Sequence, residues 1–171
     1  MTNAHPHTIV EDLFLTDTFL IKGRLANKYQ RLGAMLEQCS TEFLQIEDAA
    51  MVSLCGDEVI RSPRVLVNPS EVILAHELID VAGDEVYRNL ASNDKQTRIR
   101  AFYNGAVQLE LSGRIDEKAY QPENLGGRRY FIMEDPVIRG VRTDAEELSV
   151  LEGLPYAIVR KERLSYLYDF T

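Results

Sequence analysis

The chain contains no apolar run approaching the roughly 18 residues that a membrane-crossing helix requires. Its opening segment, MTNAHPHTIVED, has neither the basic stretch nor the continuous apolar stretch of a secretory leader, so the expectation is a cytoplasmic protein with no membrane partner. Cysteine is scarce: Cys39 and Cys55 stand apart without CxxC spacing. That argues against a zinc site or a disulfide framework, and both thiols read as small buried or half-buried side chains. The phosphate-cradling loops GxxxxGKS/T and GxGxxG and the nucleophile elbow GxSxG are all missing, which removes the common nucleotide-binding and hydrolase classes. No catalytic residue, metal or cofactor is assigned from the sequence, and the expectation is a protein that is not an enzyme.

Positive charge is also in short supply. The net charge is -8 with an isoelectric point near 4.9, so a phosphate backbone meets a repulsive average field. Arginines recur late in the chain, at Arg128, Arg129, Arg139, Arg142, Arg160 and Arg163, yet from Gly105 to Thr171 nine basic residues face twelve acidic ones. Nucleic acid is a disfavoured partner. Hydrophobic residues make up 45% of the 171 and charged residues 27%, ordinary globular usage that predicts a folded core.

Alternation of apolar and polar residues is the main structural signal. In AFYNGAVQLEL, Asn104-Gly105 separates two alternating runs, which predicts a hairpin with a two-residue type I′ turn, one face buried and the other wet. IVEDLFLTDTFLIKGRL predicts a second hairpin turning at Thr16-Asp17, with Phe19 and Ile21 on one face. The two resemble each other. Gly23-Arg24-Leu25 recurs as Gly113-Arg114-Ile115, 90 residues on, and the same offset sets Ile9 on Ile99. Phe43 to Ala49 recurs as Tyr130 to Pro136 at an offset of 87, and Val65-Leu66-Val67 with Val72 recurs as Ala157-Ile158-Val159 with Leu164 at 92.

The predicted fold is therefore mainly β with short helices, arranged as two tandem, similar small β-barrels or curved antiparallel sheets. The first spans residues 9–83 and the second 97–171, with 84–96 a linker carrying a short helix from Gly83-Asp84 toward Leu90. Each half closes on a strand, Val72 to Leu78 and Leu164 to Phe170. Helical spacing of Leu32, Met35, Leu36 and Cys39 predicts a short helix between Tyr29 and Cys39, whereas the corresponding YQPENLGGRR reads as a loop. Asn68-Pro69-Ser70 predicts a turn, and Thr143 with Glu146 predicts a capping box before Leu148 and Leu151, with Gly153 as the stop.

The run Gly-Arg-Leu, a leucine-bearing helix, FLQIEDA and then VLVN with a following apolar strand resembles bacterial small-barrel domains of unknown function, loosely similar to Sm-like or SH3-like barrels. The resemblance spans about Phe19 to Ile79 and, more weakly, Val107 to Phe170, and it implies no activity. An Sm likeness would imply RNA binding and a ring.

Several residues invite a chemical reading. Glu47-Asp48 and Glu134-Asp135 occupy matching places read as strand ends, where an acid-base pair competes with turn-capping carboxylates, and capping is preferred. Arg24 and Arg114 offer two guanidinium forks for an anion between the halves; bulge glycines followed by arginines paired with local acids are the preferred reading. His5-Pro6-His7 lacks a third ligand nearby and His76, in ILAHELID, reads as structural. Tyr166, Tyr168 and Phe170 share one strand face, read first as core and second as a surface for self-association. The function expected is a non-enzymatic binding or assembly module that self-associates or docks a protein partner. The alternatives are a regulatory domain sensing a small molecule or anion, and an Sm-like RNA-binding module.

Overall fold

A computed structural model of the chain describes residues 11–78, 96–119 and 128–170. It is mainly β. Among the described residues ten strands form one open antiparallel sheet: β1 (Glu11–Leu15), β2 (Phe19–Leu25), β3 (Leu44–Ser53), β4 (Val59–Val67), β5 (Leu74–Leu78), β6 (Gln96–Asn104), β7 (Gln108–Asp116), β8 (Tyr130–Arg139), β9 (Tyr156–Arg160) and β10 (Tyr166–Asp169). The order across the sheet is β10-β6-β7-β8-β9-β5-β1-β2-β3-β4, so each half runs fifth-first-second-third-fourth and the halves meet where β9 pairs with β5. The strands thus join into one continuous sheet. The linker expected over 84–96, with its short helix, and the loop at 120–127 lie outside the described residues but for Gln96, which opens β6. Among the described residues no helix is long and apolar enough to cross a membrane.

Alternation of side chains across a strand gives the sheet two apolar faces, each buried in its own cluster. Phe14, Ile21, Leu25, Ile46, Val67 and Ala75 pack beneath α1 (Leu32–Gln38), whose Leu32 and Leu36 are buried at the expected helical spacing. Ile99, Ala101, Leu109, Leu111, Ile115 and Met133 pack beneath a 3₁₀ segment, Glu146–Leu151, through Leu148 and Leu151. The hairpin β6-β7 is buried on one face as expected, but β1 is buried on both: Phe14 enters the first cluster, Leu13 and Leu15 the second. A central strand covered on both sides reads as a near-continuous apolar run, and DLFL is one.

One device bends the sheet twice. Between the pairs Lys22↔Ala50 and Arg24↔Glu47, Gly23 faces two residues, Asp48 and Ala49; between Ser112↔Val137 and Arg114↔Glu134, Gly113 faces Asp135 and Pro136. These are β-bulges. Asp48 and Asp135 adopt left-handed φ of 48° and 47°, a conformation that Asp tolerates better than most residues. A side chain on Gly23 would meet Ile46 Cγ2 at 2.6 Å and Glu47 O at 2.8 Å, and one on Gly113 would meet Met133 Cγ at 2.5 Å and Glu134 O at 2.8 Å. Glycine is required there because two backbones approach too closely for a Cβ.

The turns depart from expectation where tertiary contacts intervene. Three residues, not two, separate the paired Asn104 and Gln108, and neither Asn104 nor Gly105 has positive φ, so the type I′ turn is absent. Contacts from elsewhere shape this loop: Tyr103 Oη donates to Asp17 Oδ2 at 3.0 Å and accepts from Arg163 Nη2 at 2.9 Å, and Asn104 N donates to Ser165 Oγ at 3.2 Å. The first hairpin does turn at Thr16-Asp17, where Thr16 Oγ1 accepts from the Thr18 and Phe19 amides. Asn68 caps the 3₁₀ turn Pro69–Glu71 by accepting from Ser70 N at 3.0 Å. The capping box does not form. Ala145 holds the N-cap position and Thr143 Oγ1 donates to Glu152 instead, while Gly153, at φ 76°, ends the segment as expected.

Replacing Gly23 or Gly113 by Ala is expected to cost about 1–3 kcal/mol each, because the new methyl meets carbonyl oxygen and core side chain together. Urea unfolding of the two variants measures this, and equal stability to the parent would show that the close approach is not obligatory.

Candidate functional site

Among the described residues the sheet leaves two strands with a neighbour on one side only, β10 beside β6 and β4 beside β3. On β10, Tyr166 and Tyr168 are exposed, and Phe170, just beyond the strand, is exposed with them. The expectation that this stripe is core is overturned, and the reason is topological: among the described residues it lies on the outermost strand, with no strand beyond to cover it, while the alternate residue Leu167 packs on the core. Tyr168 stacks on Phe102 with centroids 6.2 Å apart, and Arg100 lies 5.8 Å and 5.9 Å from the two rings while its Nε donates to Glu110 at 2.7 Å. On β4, Ile60 and Leu66 are exposed on either side of Arg61 and Arg64, and Pro63 interrupts the row of amides, a residue that sheets accept mainly at their edges.

The joint between the halves shows what such strands do when covered. Leu74 pairs with Val159 and Ala75 with Ile158, and Arg160 N donates to Ile73 O at 3.0 Å. Arg160 is nearly buried and braces the join, its Nη1 donating to Pro69 O at 3.1 Å and Tyr130 Oη at 2.9 Å and its Nη2 to Glu162 at 2.9 Å. Glu37 of α1 accepts from the amides of Arg129 and Tyr130 at 3.0 and 2.8 Å, a second tie across the halves. Beside the joint lies a cleft of about 450 Å³ lined by Cys39, Phe43, Asn68, Pro69, Arg129 and Arg160 among others.

The residues singled out for chemistry take structural places. Glu47-Asp48 and Glu134-Asp135 lie inside β3 and β8, not at strand ends, because the bulge leaves the strand intact. Arg24 pairs with Asp48, and Arg114 with Asp135 at 2.5 Å and Glu134 at 3.5 Å, so each arginine bridges its own bulge. His76 is buried on β5 with its ring 4.5 Å from that of Tyr156. Cys39 is half-buried, but Cys55 is exposed: in the β3-β4 turn Leu54 takes the buried position and the next side chain faces out. His5, His7 and Ile9 lie outside the described residues.

The densest charged cluster among the described residues was not marked by any motif. Lys28 Nζ donates to Asp12 Oδ1 and Glu77 Oε1, each at 2.8 Å, and Arg31 Nε donates to Glu77 Oε2 at 2.9 Å. The amides of Leu25 and Leu32 donate to Asp12 at 2.9 Å and Glu77 at 3.1 Å, so this buried cluster fastens the segment before α1 to β1 and β5. Burial pushes the Asp12 carboxyl up, further than the bonds from Lys28 and Leu25 N bring it down. Burial raises Glu77 also, but the bonds from Lys28 and Leu32 N and the charges of Lys28 and Arg31 outweigh it and hold that carboxyl below its ordinary value. With every oxygen of the two buried carboxylates engaged, the cluster is a fastening. The only sequence signal was an acid set inside each of two apolar runs, DLFL and ILAHELI.

No family model matches this chain, and no curated protein or solved structure does so either.

The cluster makes stability depend on pH with opposing signs. Glu77, lowered from 4.5, contributes stability that is complete above that value and fades as pH falls through the folded value. Asp12, raised from 3.8, stabilises the fold when protonated and loses that contribution as pH rises through its folded value. Glu77→Gln is therefore expected to cost most at neutral pH, with the gap to the parent narrowing as pH drops below 4.5; chemical unfolding across that range checks it. A constant gap would show that Glu77 acts without its charge.

Proposed function

We propose that the chain is a non-enzymatic assembly module built from two copies of one five-stranded unit, which associates with protein through the free edges of its sheet. The carrying observation is the exposure of Tyr166, Tyr168 and Phe170 on one outer strand and of Ile60 and Leu66 on the other. Exposed apolar residues gathered on unpaired strands favour addition of a further strand.

The ladders support the duplication. The pairs Asp12↔Gly23, Arg24↔Glu47, Leu66↔Gln45 and Leu15↔Leu74 of the first half correspond to Ile99↔Gly113, Arg114↔Glu134, Ile158↔Ile132 and Phe102↔Tyr166 of the second. In this register β1 maps onto β6 with Asp12 on Ile99 instead of Ile9 on Ile99, because the second hairpin pairs further: seven residues separate Phe102 from Glu110, where four separate their counterparts Leu15 and Leu20. A regulatory role through an anion at Arg24 and Arg114 would require displacing Asp48, Glu134 and Asp135, and RNA binding would work against a net charge of -8.

Light scattering over about 1 to 100 µM, a range that spans ordinary weak to moderate association, tests the reading. The expected result is a mass above the 19.5 kDa of one chain, falling toward it in Leu66→Lys and Tyr166→Lys variants that keep the parent's unfolding midpoint. A mass of 19.5 kDa throughout would remove the self-assembly reading.

A further inference from the structure

Granted the assembly reading above, we infer that the partner is a second copy of the chain, added head to tail, with β10 of one copy pairing antiparallel with β4 of the next in the register that already joins β5 to β9. The correspondence between the halves sets β4 on β9 and β5 on β10, so the two free strands are the two sides of the internal joint, held apart on opposite ends of one molecule.

Burial supports this residue by residue. At the internal joint Leu74, Ile158 and Tyr130 are 0%, 1% and 4% exposed; their counterparts Tyr166, Leu66 and Phe43 are 66%, 51% and 48% exposed. His76, buried, corresponds to the exposed Tyr168. The large apolar side chains on the surface are thus concentrated where the joint would be if a neighbour supplied its other side.

Leu74↔Val159 and Ala75↔Ile158 translate into Tyr166↔Val67 and Leu167↔Leu66 between copies, and Arg160 N to Ile73 O translates into Asn68 N to Ser165 O. Extended along the strands, the register sets Asp169 opposite Arg64, an attractive cross-strand pair. It brings Phe170 opposite Pro63 at the end of the paired stretch. Tyr166 would cover the first-half core beside Val67, as Leu74 covers the second-half core beside Val159. Because the two edges differ, addition is heterologous, and it yields a ring where the rotation closes and a filament where it does not.

Oxidative cross-linking in the full chain, with Cys39 and Cys55 replaced by Ser, tests this. Leu66→Cys combined with Leu167→Cys is expected to give a ladder of covalent multimers, since directly paired strand residues lie within disulfide reach. Leu66→Cys with Tyr168→Cys, whose side chains fall on opposite faces, is expected to give at least about tenfold less. Singly substituted chains are expected to cross-link only when the two kinds are mixed. Dimers from Leu167→Cys alone would mean a symmetric contact and would overturn the head-to-tail arrangement. A mass above one chain without the 66–167 cross-link would overturn the register and leave assembly standing; a single-chain mass at all concentrations with no cross-link would overturn both. Tyr166→Glu, exposed in the free chain, serves as the variant that cannot be blamed on misfolding: it is expected to weaken association about tenfold or more with an unchanged unfolding midpoint.

Discussion

The meeting of β5 and β9 is the constraint on which the rest of the molecule depends. It is a short ladder, Leu74↔Val159 and Ala75↔Ile158, but its side chains pass through to both faces. Ile73 and Leu74 complete the second-half core, while Tyr130, Tyr156 and Ile158 complete the first-half core. Each fully covered side chain of this size is worth about 1.5–3 kcal/mol against exposure, so the joint draws its strength from the cores it closes more than from its few backbone bonds.

Two fastenings reinforce that arrangement from the side. Lys28 and Arg31 tie the approach to α1 onto Asp12 and Glu77, and Glu37 at the other end of the helix takes up the amides that begin β8. A seven-residue helix has little stability alone, and here it is held at both ends by charged bonds while Leu32 and Leu36 sit in the core. Removing one partner of such a buried set leaves the others uncompensated, which is why charged residues persist in this otherwise apolar region.

Local pattern made much of this legible. The β content, the two hairpins, the helix over Leu32–Gln38, the turn at Asn68 and the paired Gly-Arg steps all follow from residue type and spacing. What depended on distant partners was not legible. The turn at Asn104 is set by Asp17, Arg163 and Ser165 rather than by Asn-Gly, and Thr143 turns to Glu152 rather than to the helix start. The stripe Tyr166, Tyr168 and Phe170 has the same alternation whether it lies inside a sheet or at its rim, and only the strand order distinguishes the two. Asp12 and Glu77 gave no motif because their counter-charges are contributed from a separate connection.

The interlocked cores bear on how the chain is made. Synthesis proceeds from the amino terminus, and when β5 leaves the ribosome the strand that covers its outer side, β9, has yet to be translated. Until Tyr156–Arg160 emerges, Ile73 and Leu74 have no second core to enter and the growing chain carries an open apolar strand. The first half is thus a nascent intermediate with an unsealed margin, and a pause in translation ahead of β9 prolongs its vulnerability to mispairing with neighbouring chains on the same message.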